Sequence, residues 1–189
     1  DVATQGYERP DHHVQRDIAK ALGELTEIER ELPWGIDGCA APNFAVPLDA
    51  QARAFAKFAA PDALSPERAS ACRRIVRAMM AHPELVSGTG RSCAILMRSA
   101  KGHAAVKTGA EGFFAGMIPE LGLGIAIKID DGAGRAADAV IAALLDKLGV
   151  LGDAENARQM LRAPITNTRN DVVGERRIAP ALVEAPINP

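Results

Sequence analysis

The sequence predicts an α+β fold in which a small antiparallel sheet is flanked by helices. Two observations carry this. Helical and strand-like periodicities are segregated along the chain, with helices first, three strands between about 102 and 130, and one more helix after them. The spacers between successive strands, Gly109 to Glu111 and Pro119 to Leu121, are short, which favours hairpins over helical crossovers.

Residues 11 to 32 place Val14, Ile18, Ala21, Leu22, Leu25, Ile28 and Leu32 at helical spacing, with Asp11 as N-cap and Pro33 as the stop. His12 and His13 are adjacent, so on a helix they point about 100° apart. They read as surface histidines rather than a chelating pair. The stretch from Pro33 to Phe44, rich in Gly and Pro and holding Trp34, predicts an irregular segment with buried apolar side chains. Within it Asp37 and Cys39 are two apart, and extended backbone would turn both to one side. The plainer reading of Cys39 is a small buried hydrophobe.

Helices are expected at about 49 to 60, capped by Asp49, and at 65 to 82. The second has Ser65 as N-cap, Pro66 at its first position and Glu67 against the dipole. Its apolar stripe contains Cys72, which reads as core. Residues 83 to 90 are turn-rich and 91 to 100 suit a short helix. Gly88-Thr89-Gly90-Arg91 lacks the lysine and the flanking strand and helix of a phosphate loop, so no nucleotide site is expected.

Strands follow at about 102 to 108, 112 to 118 and 122 to 130. In the third, Leu123, Ile125, Ile127 and Ile129 alternate with Gly124, Ala126 and Lys128. A helix over 133 to 149 carries Ala137, Val140, Ile141, Leu144, Leu145 and Leu148 on one face and stops at Gly149. Before it, Asp130-Asp131-Gly132 lacks a calcium-loop register and reads as an N-terminal cap. Beyond 150, with Pro164, Pro180, Pro186 and Pro189, little regular structure is expected apart from a short edge strand using Ile165 or Val172-Val173. The expected organisation is one domain over 1–189 with a partly irregular tail over 150–189.

Composition excludes several classes. The net charge is -2 and aromatics make up 4%, so neither the basic surface nor the stacking platform of a nucleic-acid binder is present. Three cysteines, Cys39, Cys72 and Cys93, with no C-x-x-C spacing, argue against a disulfide framework and for a reducing, cytoplasmic setting. No apolar run reaches the roughly 20 residues of a membrane span, and no signal peptide opens the chain. The start at Asp1 rather than Met suggests a processed or truncated piece of something longer.

The chemistry centres on Lys107, flanked by Ala104, Ala105, Val106, Thr108 and Gly109. A poorly solvated ammonium loses its proton more readily, which suits a base. The alternative is an edge-strand lysine whose stem alone is buried. None of Ser65, Ser70, Ser87, Ser92 and Ser99 stands in S-x-x-K spacing, and no G-x-S-x-G elbow occurs.

Lys107-Thr108-Gly109-Ala110 on such a strand resembles the K-T-G element of penicillin-binding proteins and class A β-lactamases. Read together with Gly35-Ile36-Asp37-Gly38-Cys39, His82-Pro83-Glu84-Leu85-Val86, Gly88-Thr89-Gly90-Arg91, Glu111-Gly112, Gly122-Leu123-Gly124-Ile125-Ala126 and Lys128-Ile129-Asp130-Asp131-Gly132, it resembles the rhizobial-type (asparaginase II) L-asparaginase family from about Tyr7 to Arg177. The resemblance implies a serine-β-lactamase-like fold, a homodimer and hydrolysis of L-asparagine by a serine paired with lysine. It makes Lys107 the sheet lysine, Cys39 a zinc ligand, Asp37 its active-site neighbour and Cys93 the active-site cysteine. It also gives Thr108, Gly109, Ala110 and Glu111 to substrate binding, with the Ala110 N–H placed as an oxyanion donor. Ser92 and Ala94 flank Cys93 where the family usually has an aromatic and threonine. In that family the S-x-x-K serine and the remaining zinc ligands lie upstream, so the chain is expected to be a C-terminal half completed by an N-terminal segment. Two alternatives stay open: a catalytically incomplete binding partner or pseudoenzyme, and an enzyme for another amide such as glutamine or a β-lactam.

Overall fold

The computed structural model describes residues 3–152 and 155–187. It is α+β, with small antiparallel sheets, no closed barrel among the described residues, and two compact units that divide between Ala54 and Phe55.

In the first unit, helix α1 (His13–Thr26) begins one residue later than its hydrophobic spacing suggested. His12, not Asp11, is the cap, its Nδ1 accepting from the Val14 N–H at 3.3 Å. The helix also ends well before Leu32. Glu27 takes the left-handed conformation (φ 59°), and the Ile28 N–H turns back to the Gly23 carbonyl at 3.1 Å, which stops the ladder. The stretch expected to be irregular and buried is instead a hairpin of β1 (Trp34–Ile36) and β2 (Pro42–Phe44), with Trp34 opposite Phe44. Pairing satisfies the backbone without burial, so Trp34 and Ile36 stay exposed, contrary to expectation.

The division between units falls within α2 (Leu48–Ala59). In the second unit α3 (Pro66–Ala81) starts as its sequence predicts, Ser65 Oγ accepting from the Arg68 N–H. Residues expected to be turn form the single-turn helix α4 (Pro83–Ser87), followed by α5 (Ser92–Ser99).

Three strands, β3 (Ala105–Thr108), β4 (Phe113–Ile118) and β5 (Leu123–Lys128), make an antiparallel sheet in chain order. Lys107 stands opposite Ala115, and Phe114 opposite Ile127. Helix α6 (Gly134–Lys147) packs on the sheet. Phe114, Ile118 and Val106 of the sheet, Leu96 and Met97 of α5, and Ile141 and Leu145 of α6 are fully buried in one core.

The chain beyond 150 is more regular than its prolines suggest. It forms α7 (Glu155–Leu161), a separate hairpin of β6 (Arg162–Thr166) and β7 (Val172–Arg177), and the short α8 (Pro180–Glu184). Ile165 and Val172 therefore pair within their own hairpin rather than extending the main sheet. Lys147 Nζ closes the end of α8, donating to the carbonyls of Leu182 and Val183 at 2.9 Å each. Asp1 and Pro189 lie outside the described residues.

Candidate active site

β3 is an edge strand, and the Gly109 N–H donates to the Phe113 carbonyl at 2.9 Å, so alternate residues from Lys107 face β4. The Thr108 N–H points the other way. It donates to Cys93 Sγ on α5 at 3.2 Å, which ties the end of β3 to the first turn of that helix. Cys93 is wholly buried. Burial pushes its thiol above the ordinary range, while the Thr108 N–H, the Lys107 charge and the Ser87 hydroxyl pull less strongly the other way, and Asp138 of α6 adds to the rise. Ser87 Oγ is buried without a hydrogen bond of good geometry, so its effect on Cys93 is that of a nearby dipole rather than a formed bond. In this position the sulfur accepts the Thr108 N–H within the buried contact of α5 and β3.

Of the two environments considered for Lys107, the structure shows the edge-strand one. Its side chain is exposed rather than desolvated among its apolar neighbours, and Nζ donates to the Thr108 carbonyl at 2.7 Å. Burial along β3 does not alternate: Ala105, on the same face as Lys107, and Val106 are fully buried, and exposure begins at Lys107, towards the end of the strand.

The residues after Lys107 make a tight turn. Glu111 (φ 53°) and Gly112 (φ 68°) both adopt left-handed backbone, and the Phe113 N–H closes the turn on the Ala110 carbonyl at 3.1 Å. Gly109 is needed because a Cβ there would lie 2.9 Å from the Phe113 ring. Gly112 is needed for its φ and because a Cβ would meet that of Ile129 at 2.8 Å. Lys128 clamps the turn to the segment after β5, its Nζ donating to the Glu111 carbonyl and, at 3.0 Å, to that of Ile129. The Ile129 N–H in turn donates to the Gly112 carbonyl at 3.2 Å. This leaves the exposed Ala110 N–H with no acceptor among the described residues.

Asp37 and Cys39 belong to the first unit, at the tip of the β1–β2 hairpin. They do not lie on one side of an extended strand. Asp37 Oδ1 accepts from the Cys39 N–H at 2.8 Å and the Ala41 N–H at 3.3 Å, an Asx-type turn that commits that oxygen to the backbone. Cys39 is exposed rather than a buried hydrophobe. Among the described residues no three His, Cys, Asp or Glu side chains converge. These residues therefore do not by themselves make a zinc site: Cys39 is one thiol donor where a closed tetrahedral site takes four ligands.

The structure thus brings Lys107, Thr108, Cys93 and the turn residues Gly109, Ala110 and Glu111 together in the second unit, and pairs Asp37 with Cys39 in the first. Sequence reasoning missed Ser87 and Lys128. Ser87 carried only the hint of preceding the Gly88-Thr89-Gly90 run, and Lys128 that of being the one charged residue in an apolar strand.

Lys107 thus lies on an edge strand that runs into the turn whose Ala110 N–H has no acceptor among the described residues. The model of the family described as L-asparaginase II matches residues 1–178. The chain belongs to that family, and the match contains every site residue above. A comparison with curated proteins gives no match.

Proposed function

We propose that this chain acts in the hydrolysis of L-asparagine to L-aspartate and ammonia, as the part of a serine/lysine amidohydrolase that carries the sheet lysine. The observation behind this is the family match over residues 1–178, in which exposed Lys107 leads into a turn whose Ala110 N–H has no acceptor among the described residues.

In this reading the serine comes from a segment other than those described, since no serine here stands in S-x-x-K spacing. Covering Lys107 with that segment would strip water from its head, the condition a lysine base needs. The neutral amine of Lys107 takes the serine proton as Oγ attacks the amide carbon. The Ala110 N–H donates to the oxyanion, and Thr108 to Glu111 line the substrate; Asp37 keeps the active-site role that the family resemblance implies. As the C–N bond breaks, the nitrogen receives the proton held by Lys107 and leaves as ammonia. Water then cleaves the acyl-serine by the reverse relay, releasing aspartate.

The same reading takes residues 1–178 as part of one serine-β-lactamase-like domain acting as a cytoplasmic homodimer. Cys39 would be one zinc ligand, with the others from outside the described residues, and no step above passes through the metal. Cys93 enters through the Thr108 N–H, not as a nucleophile.

The absence of an S-x-x-K serine also favours a second reading, a catalytically incomplete chain that binds a partner half. Ammonia release from L-asparagine and L-glutamine, and ring opening of a β-lactam, measured for this chain alone and joined to a serine-bearing segment, separate the two. Activity that appears only on joining supports the first reading, and none in either form supports the second.

A further inference from the structure

A second polar cleft lies between α6, α7 and the β6–β7 hairpin, with a volume of about 540 Å3. Its polar wall is formed by Arg135 and Asp138 of α6, Asn156 and Gln159 of α7, and Arg176 of β7, with Met160 as an apolar neighbour. The reaction above uses none of these as a catalytic group.

Most charges in this part of the chain are already matched. Arg162 pairs with Glu175 at 2.5 Å, and Lys147 is spent on the carbonyls of α8. Arg176 is different. It makes no ion pair among the described residues, its cross-strand neighbour is Ala163, and its single bond is a long one from Nη1 to the Arg135 carbonyl at 3.4 Å. Among the described residues the Arg135 side chain is held only by Asp131, at 3.6 Å and with both side chains largely exposed, a contact that solvent screens. The cleft therefore presents two guanidinium groups whose forked donors are largely unused, a geometry that fits a carboxylate.

Asp138 lies three residues after Arg135, on the same face of α6. Its negative charge beside two positive ones penalises a phosphate dianion and favours a ligand carrying both signs. We propose that this cleft binds a small α-amino acid, its carboxylate on Arg135 and Arg176 and its ammonium on Asp138. The assignment does not depend on the proposed reaction.

The test is a methyl NMR titration of the full chain labelled at methionine, following Met160, with L-aspartate and with succinate, which lacks the ammonium. A saturable Met160 shift with L-aspartate is expected. Arg176→Met should weaken it about tenfold or more, the usual effect of losing a charged hydrogen bond. Asp138→Asn should weaken L-aspartate several-fold and, by removing a like charge, tighten succinate rather than weaken it. Arg176 is exposed, so its replacement leaves the fold intact. No Met160 response, a response that survives Arg176→Met, or equal affinity for succinate would each overturn the assignment. So would a response abolished by Lys107→Met but kept in Arg176→Met, which would place the ligand at the candidate active site instead.

Discussion

The Thr108 N–H donates to Cys93 Sγ at 3.2 Å, so the outward edge of β3 is closed by a sulfur from α5 rather than by another strand. Removing that sulfur leaves the N–H without a partner and a small void beside fully buried residues. Cys93→Ala should therefore cost about 1–3 kcal/mol, read from urea unfolding, with faster exchange of the Thr108 amide. Cys93→Ser, which keeps an acceptor, should lose less. Equal losses in the two variants would assign the effect to packing alone.

The same burial gives stability a pH dependence. Cys93 and Cys72 both have thiols pushed up by burial. Above the ordinary thiol value of about 8.5, the unfolded chain sheds protons that the native chain keeps. The native state then binds more protons, so stability falls as pH rises, whereas below that value the contribution is fully present. The urea midpoint should decline from about pH 8 to 10, and less steeply in Cys93→Ala. A flat profile over that range would contradict the burial argument.

Thiol reactivity should divide the cysteines. Cys39 is exposed, while Cys72 and Cys93 are 2% and 0% exposed. A thiol reagent should label Cys39 quickly in the native chain, and the other two only in denaturant. Rapid native labelling of Cys93 would contradict the packing of α5 on β3.

Lys128 holds the turn that carries Ala110, through two carbonyls rather than through a charge pair. Lys128→Met should speed amide exchange at Phe113 and Ile129 and cost roughly 1 kcal/mol. Gly112→Ala should cost more, since it adds a left-handed strain and a close contact with Ile129. If Lys128→Met left both amides unchanged, the turn would be held by its glycines alone.

The sheet was legible because its signals are local. Alternation in Leu123–Lys128 and the short spacers define hairpins whatever surrounds them, and Ser65-Pro66-Glu67 marks a helix start by its own chemistry. The end of α1 was not legible. Glu27 takes a conformation that glycine usually marks, and Ala40 (φ 63°) does the same in the β1–β2 turn. At the site, Lys107 and the turn glycines could be read from a motif. The bonds from Thr108 to Cys93 and from Lys128 to Glu111 join residues 15 and 17 positions apart, and only tertiary packing brings them together. The exposed Lys107 head fits the edge-strand reading of its local sequence, whereas the extent of burial along β3, complete at Ala105 and Val106 and lost at Lys107, depends on how α3 and α5 pack on the strand.

The proposed role of Lys107 as base is tested most directly by ammonia release from L-asparagine by the enzyme containing this chain, with Lys107 intact and replaced by alanine. Turnover should fall about 10²-fold or more, the scale of losing a general base, with the fold retained because Lys107 is exposed. Unchanged turnover in Lys107→Ala would contradict it.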